Sequence, residues 1–369
     1  MSRPVRIGVV GCGSVMRGPY MGVIRQLRQR EQVETVVACD VQADRRELVL
    51  SRDFGFQRFT TDFEQVVEAE DVDLVLVTTS MQQHGMVTRA ALEAGKHVLV
   101  EKPMSTNLAE AKQLVELAKT SKGYLVPAPH VILSPTYQEM WRRIHRGEIG
   151  KPLLARALYG WAGPSWGKWF YQPGGGSMFD LGVYNVVSLT GLLGPAKRVT
   201  GLVGTAIPER MVEGELMKVE ADDNAHISID FGNAVFGVIT TGFTIQKYRT
   251  PAVEIYGSQG TMQMMGDDWD PAGFELWRNE VGAWQIFGET APNWPWTDGL
   301  RHLVECIQTG QKPLITPEHG YHVLEIMLKA QEAARTGMTQ TIESTFPALN
   351  FFSAAEEQEA AHLRHDRTR

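Results

Sequence analysis

The chain has 369 residues, 21% of them charged and 43% hydrophobic, and a formal net charge of -7. That length exceeds what one hydrophobic core ordinarily organises, so two domains are expected. The acidic balance, without a clustered block of Lys and Arg, argues against a nucleic-acid binder, and no stretch approaches the roughly 18 unbroken apolar residues of a membrane span.

The N-terminal "MSRPVR" runs directly into an apolar segment with no signal-peptide pattern, and Cys12, Cys39 and Cys306 lie far apart without disulfide or metal-ligand spacing. A cytoplasmic location and no metal site are expected. Short apolar runs at 5–11, 33–40, 72–79, 97–103 and 124–129 predict strands. Helical periodicity in "GMVTRAALEAG" and "NLAEAKQLVELAKT" fills two of the intervals. Strands separated by helices of this length predict an α/β unit with a doubly wound parallel sheet over residues 1–125.

Beyond about residue 125 the texture changes. Longer strand patterns at 198–207, 224–232, 234–244, 252–266 and 273–279 are joined by short Gly, Asn or Ser turns. They predict a second α/β domain over 126–350 with a large, open, mainly antiparallel sheet and helices on one face. "GLRHLVECIQTG" and "GYHVLEIMLKAQEAARTG" read as amphipathic helices, each ending at a glycine. Residues 351–369 read as a polar tail that frays.

Between the first strand and the next helix, "IGVVGCGSVMRG" sets Gly11, Cys12, Gly13, Ser14 and Val15 as a phosphate cradle. One glycine permits the tight turn, the other a close approach to pyrophosphate, and the helix N-terminus favours the anion. Met16 stands where a third glycine serves helix-to-sheet packing. Asp40 ends the second strand, placed to accept from ribose hydroxyls and to repel a 2′-phosphate. NAD is therefore the expected cofactor, with Arg45 and Arg46 leaving NADP possible. Thr78, Thr79 and Ser80 end a later strand at the carboxyl edge, where such sheets bind ligands.

"HVLVEKP" puts Glu101, Lys102 and Pro103 at another strand end. Further on, "GGGSMFDLGVYNVV" carries Asp180 and Tyr184 one turn apart, so both project from one helix face. The glycines before them are expected to leave room for a flat ligand. "YGWAGPSWGKWFYQP" gathers Trp166 and other aromatics, suited either to stacking on a sugar face or to filling an interface, with Lys168 among them placed to donate to the hydroxyls of a sugar.

Taken in order, Gly11 and Gly13, Asp40, "TTSMQQH" ending in His84, the Glu-Lys-Pro triplet, "GEIGKP" and the glycines before Asp180 closely resemble the Gfo/Idh/MocA family of sugar and polyol dehydrogenases, from residue 5 to about 345. The resemblance implies a Rossmann domain followed by an α/β domain whose sheet forms a dimer or tetramer interface, with the active site between the two. It implies cofactor contacts from His84, Glu101 and Lys102. It also implies a small carbohydrate substrate held by Lys102, Asp180, Tyr184 and the residue at His130, where members often carry a polar group. Two departures stand out: Tyr184 occupies a position that is often histidine, and Ser80 and Met81 replace a frequent Pro and Asn.

Hydride removal from an alcohol needs a base for the hydroxyl proton. A free phenol, with a pKa of about 10, needs help at neutral pH, which a nearby ammonium such as Lys102 supplies. Two assignments stay open: Tyr184 takes the proton, or Lys102 does with Tyr184 orienting it. Asp180 keeps Lys102 charged and accepts from the substrate. Alternatives at this level are a retained NAD used transiently for glycoside cleavage or elimination, and a non-catalytic NAD sensor.

Overall fold

The computed structural model describes residues 3–353 and 355–357. Among these the chain packs as two compact units. One comprises residues 3–130 with Pro295–Leu324; the other comprises Val131–Trp294 with the described residues from 325 onward.

In the first unit, strands β1 (Val5–Val10), β2 (Val33–Cys39), β3 (Arg58–Thr60), β4 (Leu74–Val77), β5 (His97–Val100) and β6 (Leu125–Pro127) form one sheet in the order β3-β2-β1-β4-β5-β6. Every pair is parallel. β4 is buried along its whole length, as expected for a parallel strand covered on both faces. The helix Leu108–Thr120 starts where the Asn107 side chain accepts from the Glu110 N–H, which satisfies one of its orphan donors. The chain reverses its direction of travel across the sheet between β1 and β4, so their carboxyl ends open a crevice. The expected strands are all present; β3 went unread because three partly exposed residues carry no periodicity.

The division of the chain corrects the expected cut between 125 and 126. Helix Gly299–Thr309 packs on β1, on β5 and on helix Met21–Gln29, and the Gln308 side-chain amide donates to Gln32 O at 3.3 Å. Its apolar face completes the core over the parallel sheet, so this segment returns to the first unit.

In the second unit, β7 (Pro152–Gly160), β8 (Arg198–Gly204), β11 (Asn224–Asp230), β12 (Phe236–Gly242), β13 (Val253–Gly257), β14 (Gly260–Asp267), β15 (Asp270–Arg278), β16 (Ala283–Gly288) and β17 (Gln340–Thr341) make a sheet ordered β16-β15-β14-β13-β7-β12-β11-β8-β17. Strands β9 (Glu209–Val212) and β10 (Glu215–Lys218) pair separately. The large sheet is antiparallel except where β7 meets β12. One face is buried, with Ala155, Ile227, Ile239, Ile255, Met262 and Leu276 turned toward helices Pro135–His145 and Val183–Leu193. The other face leaves Leu154, Leu202, Phe236, Trp284 and Ile286 exposed. The run at 252–266, expected as one strand, is the hairpin β13–β14, which turns through Ser258 and Gln259. The expected polar tail begins as packed structure, with Phe351 and Phe352 meeting the Trp141 ring edge-on at 5.2 and 5.0 Å. Residues 354 and 358–369 of that tail lie outside the described residues.

Candidate active site

Gly11 leaves β1 with φ +96, and an added Cβ would lie 2.5 Å from Thr78 O and 2.6 Å from Thr79 N. Only glycine lets the two strand ends touch. The Thr78 N–H donates to Val10 O at 2.8 Å and its hydroxyl to Gly11 O at 2.5 Å, which closes that contact. Gly13 differs, because a Cβ there would meet nothing within 4 Å. Its open side faces away from the protein at the start of a helix, next to half-exposed Val15 and exposed Ser14. That is the geometry a pyrophosphate needs, so these residues fit a dinucleotide. Asp40 holds the loop from β2: Oδ2 accepts from the Cys12 N–H at 2.7 Å and Oδ1 from the Gln42 N–H at 2.9 Å. Each carboxyl oxygen keeps a further lone pair for ribose hydroxyls. Arg45 donates to Gln42 Oε1 at 2.8 and 3.0 Å, which ties its guanidinium to the residue whose N–H Asp40 accepts. Cys12 is fully buried, and it serves this loop through its backbone N–H.

Thr79 and Ser80 follow β4, where the Thr79 hydroxyl donates to Ser80 O at 3.2 Å. His84 was expected as a cofactor contact, but its ring is buried, with Nδ1 2.7 Å from Pro103 O and Nε2 3.1 Å from Thr79 O. It ties the loop after β4 to the loop after β5. Burial pushes its pKa down despite the two carbonyls. Glu101 is also an anchor. Oε1 accepts from the buried Tyr20 hydroxyl at 2.7 Å, and Oε2 accepts from the Lys102 N–H at 3.1 Å. The backbone that carries Lys102 is thereby fixed from the helix side, a role for Tyr20 that no motif announces. His130, after β6, is fully buried with Nδ1 3.3 Å from Trp296 O, and burial pushes its pKa down. Its place is against Gly299, where an added Cβ would fall 2.2 Å from the ring.

In the second unit the glycines before Asp180 serve the chain itself. A Cβ on Gly175 would sit 2.5 Å from Trp169 O, and one on Gly176, at φ +106, would sit 2.4 Å from Asp222 Oδ1. Asp222 is the reason for this tight turn. Its Oδ2 accepts from the Ser177 hydroxyl at 2.7 Å and the Met178 N–H at 2.8 Å, while Oδ1 accepts from the Gln331 amide at 3.0 Å. Burial pushes the Asp222 pKa up against these donors. The anchored start continues as a π-turn, Met178–Gly182, and then as helix Val183–Leu193. Asp180 is part-exposed in the π-turn, and Tyr184 lies largely buried one turn on, its ring edge-on to Tyr159 at 5.7 Å. Trp166 is half-exposed beside Trp161 at 5.6 Å. Lys168, expected to donate to a substrate, donates to Glu215.

Sequence reasoning missed Asp222, Tyr20 and a polar group in which Asn185 and Asp268 are buried and Tyr159 and Asp267 half-buried. The adjacent acids in "GDDWD" were the available signal. Among the described residues, no group of three or more His, Cys, Asp and Glu side chains is arranged to hold a metal ion, and no helix is long and apolar enough to cross a membrane.

A doubly wound sheet with an open glycine cradle, an acid ending β2 and a lysine following β5 defines a dinucleotide-dependent oxidoreductase. The family described as "Oxidoreductase family, NAD-binding Rossmann fold" matches residues 5–128, and the GFO/IDH/MocA C-terminal domain matches residues 137–263. The chain belongs to the Gfo/Idh/MocA family, as the motifs implied, and its cofactor is NAD(P). It is similar to the 1,5-anhydro-D-fructose reductase of Ensifer adhaerens, 27% identical over 348 residues that cover 92% of this chain and 99% of that protein. It is likewise similar to the scyllo-inositol 2-dehydrogenase (NAD(+)) of Bacillus subtilis, 25% identical over 92% of this chain and 96% of that protein. A levoglucosan dehydrogenase, solved in complex with NADH and levoglucosan, shares the fold with a TM-score of 0.82 at 20% identity, covering 92% of this chain and all of that one.

Proposed function

We propose that the chain moves a hydride between a nicotinamide cofactor and the CH–OH or carbonyl carbon of a sugar, polyol or anhydrosugar, with Lys102, Asp180 and Tyr184 handling the oxygen and its proton. The observation that carries this reading is the first unit's set of strand ends. The cradle, Asp40, Thr78 and Lys102 all leave the carboxyl edge of one parallel sheet, and Gly13 leaves its ligand side open. The names of the relatives support the substrate class.

Bound NAD(P) supplies the hydride acceptor, or in its reduced form the donor. Tyr184 donates its phenol proton to the carbonyl oxygen in reduction. In oxidation it accepts the hydroxyl proton, helped by the ammonium of Lys102. Asp180 accepts from a substrate hydroxyl and fixes its orientation. Glu101 and His84 act by holding the loops that carry Lys102 and Thr79. Asp40 favours NAD, since a carboxylate beside the ribose repels a 2′-phosphate. Trp166 offers an indole face to the C–H side of a sugar, while Lys168 is engaged by Glu215. The exposed sheet face with Leu202, Phe236 and Ile286 is the proposed contact between copies, large apolar groups there being costly to leave in water. A cytoplasmic location fits three buried free cysteines.

The test follows reduced-cofactor absorbance in purified protein given NAD with scyllo-inositol or levoglucosan, or NADH with 1,5-anhydro-D-fructose. Turnover is expected with at least one pair. Lys102→Ala and Tyr184→Phe should each lower kcat by about 100-fold or more, the usual scale for a lost proton-transfer group. A Lys102→Ala enzyme running at full rate would remove the central assignment.

A further inference from the structure

The two-residue turn between β14 and β15, Asp268 and Trp269, folds inward toward helix Val183–Leu193. Asp268 is 1% exposed, and its Oδ2 accepts from the Asn185 side-chain amide at 2.9 Å and from the Ser188 hydroxyl at 3.4 Å. The other oxygen of each residue, Asp268 Oδ1 and Asn185 Oδ1, is buried without a hydrogen-bond partner. Buried polar atoms are rarely left so. Two surplus acceptors on one bonded pair of planar groups lack a single hydrogen. A proton on Asp268 Oδ1 donated to Asn185 Oδ1 would close a two-bond acid–amide ring and satisfy both.

The surroundings favour that proton. Asp267 precedes the group on β14, and Tyr248, from the segment after β12, donates its hydroxyl to Asp267 at 2.5 Å. Tyr159 faces the group from β7 and Tyr137 from helix Pro135–His145, and Asp180 acts on the same Tyr159. None of these neighbours is a cation. Tyr159 also links the turn to the proposed catalytic residue: its ring lies 6.3 Å from Trp269 and 5.7 Å from Tyr184.

We propose that Asp268 is held as a neutral carboxylic acid bonded to Asn185, and that this acid–amide pair is a positioning element for Tyr184, the preceding residue on the same helix. Burial, reinforced by Asp267 against the pull of Asn185, pushes the Asp268 carboxyl up to about 7. The carboxyl thus binds its proton more tightly in the folded chain than in the unfolded one. Its contribution to stability is complete below about pH 4 and is lost as pH rises through about 7. Ionisation also opens the second bond of the ring and adds a negative charge beside Tyr159 and Tyr184, which disfavours a phenolate there.

Asp268→Asn is the discriminating variant, because a second amide reproduces the neutral pattern, donating to Asn185 Oδ1 and accepting from its amide. Infrared spectra of the full chain with NAD should show the carbonyl band of a buried protonated carboxyl that is missing in D268N. In reduction of 1,5-anhydro-D-fructose by NADH, the rate of D268N relative to wild type should rise about tenfold between about pH 6 and pH 8, as wild type loses its proton. No such band overturns the neutral acid, and a flat rate ratio overturns the positioning role. If D268N does not fold, Asn185→Ala carries the test: the band must shift, and an unmoved band overturns the pairing. The rate arm rests on the role proposed for Tyr184 and the infrared arm does not. A band in a protein inactive toward every sugar therefore counts against the functional reading alone.

Discussion

Asp222→Ala probes the anchor under the proposed catalytic helix. The side chain accepts three hydrogen bonds, from Ser177 Oγ, Met178 N and Gln331 Nε2, and Ser177 is fully buried. Truncation leaves those donors without partners in a place water does not readily reach. At about 1 kcal/mol net for each, the loss is about 3 kcal/mol, of which the helix-start bond to Met178 N represents the usual capping contribution. Asp222→Asn keeps the shape but turns an NH2 toward at least one donor, so about half that loss is expected. Urea unfolding followed by tryptophan fluorescence reports the second unit through Trp161, Trp166 and Trp169. The kinetic consequence is selective. Asp180 and Tyr184 ride on the loosened turn, so kcat should fall about tenfold, while the NAD dissociation constant, set by the cradle in the first unit, stays within about twofold. A loss below about 1 kcal/mol with kcat unchanged would refute the claim that Asp222 builds this part of the site.

Gly11 and Gly13 should respond oppositely to alanine. Gly11→Ala drives a Cβ to 2.5 Å from Thr78 O at φ +96 and should destabilise the fold by about 2 kcal/mol or more, read by thermal unfolding without cofactor. Gly13→Ala meets nothing within 4 Å, so stability should hold within about 0.5 kcal/mol while NAD affinity, read by fluorescence titration, falls at least about tenfold. Equal NAD binding by Gly13→Ala and wild type would remove the cradle. Asp40→Ser takes away the acceptor of the Cys12 and Gln42 N–H groups and the charge that opposes a 2′-phosphate. The ratio of kcat/KM for NADP over NAD should rise about tenfold, and an unchanged ratio would assign cofactor choice to other groups.

The parallel strands were legible because burial on both faces makes them continuous apolar runs, as in "LVLV" of β4. β7 was not, although it sits mid-sheet. "PLLARALYG" carries exposed Leu153, Leu154 and Arg156 among small buried alanines, so neither periodicity dominates. β9 and β10 are four residues each and mostly exposed. The return of residues 295–324 to the first unit was hidden for another reason: an amphipathic helix announces a buried face but not the core it joins. In the candidate site, Gly11, Gly13 and Asp40 stood out by type and spacing, and they lie together at the ends of β1 and β2, while Lys102, Asp180 and Tyr184 stood out in the same way and keep their roles as proposals. The buried polar partners Asp222 and Asn185 did not, because nothing local marks a polar residue that tertiary packing will enclose, and the paired acids of "GDDWD" point to Asp268 without disclosing its burial.

The missing third glycine shows how backbone geometry absorbs a departure from a motif. That glycine ordinarily lets the helix approach the sheet. Met16 stands there instead, fully buried, and the helix runs through Met16–Tyr20 as a π-turn. A π-turn accommodates an extra residue per turn and is seldom kept except where function needs it. Here it lets a flexible thioether tuck beneath the cradle. Its last residue, Tyr20, is the one whose hydroxyl reaches Glu101. The other unit repeats the device. Met178 opens the π-turn that carries Asp180, and a Cβ on Gly182 would fall 2.8 Å from Met178 Sδ. In both places a buried methionine and a widened turn set the phase of the following helix. In one unit the widened turn itself carries Tyr20 to Glu101, and in the other it leads into the helix whose Tyr184 meets Tyr159.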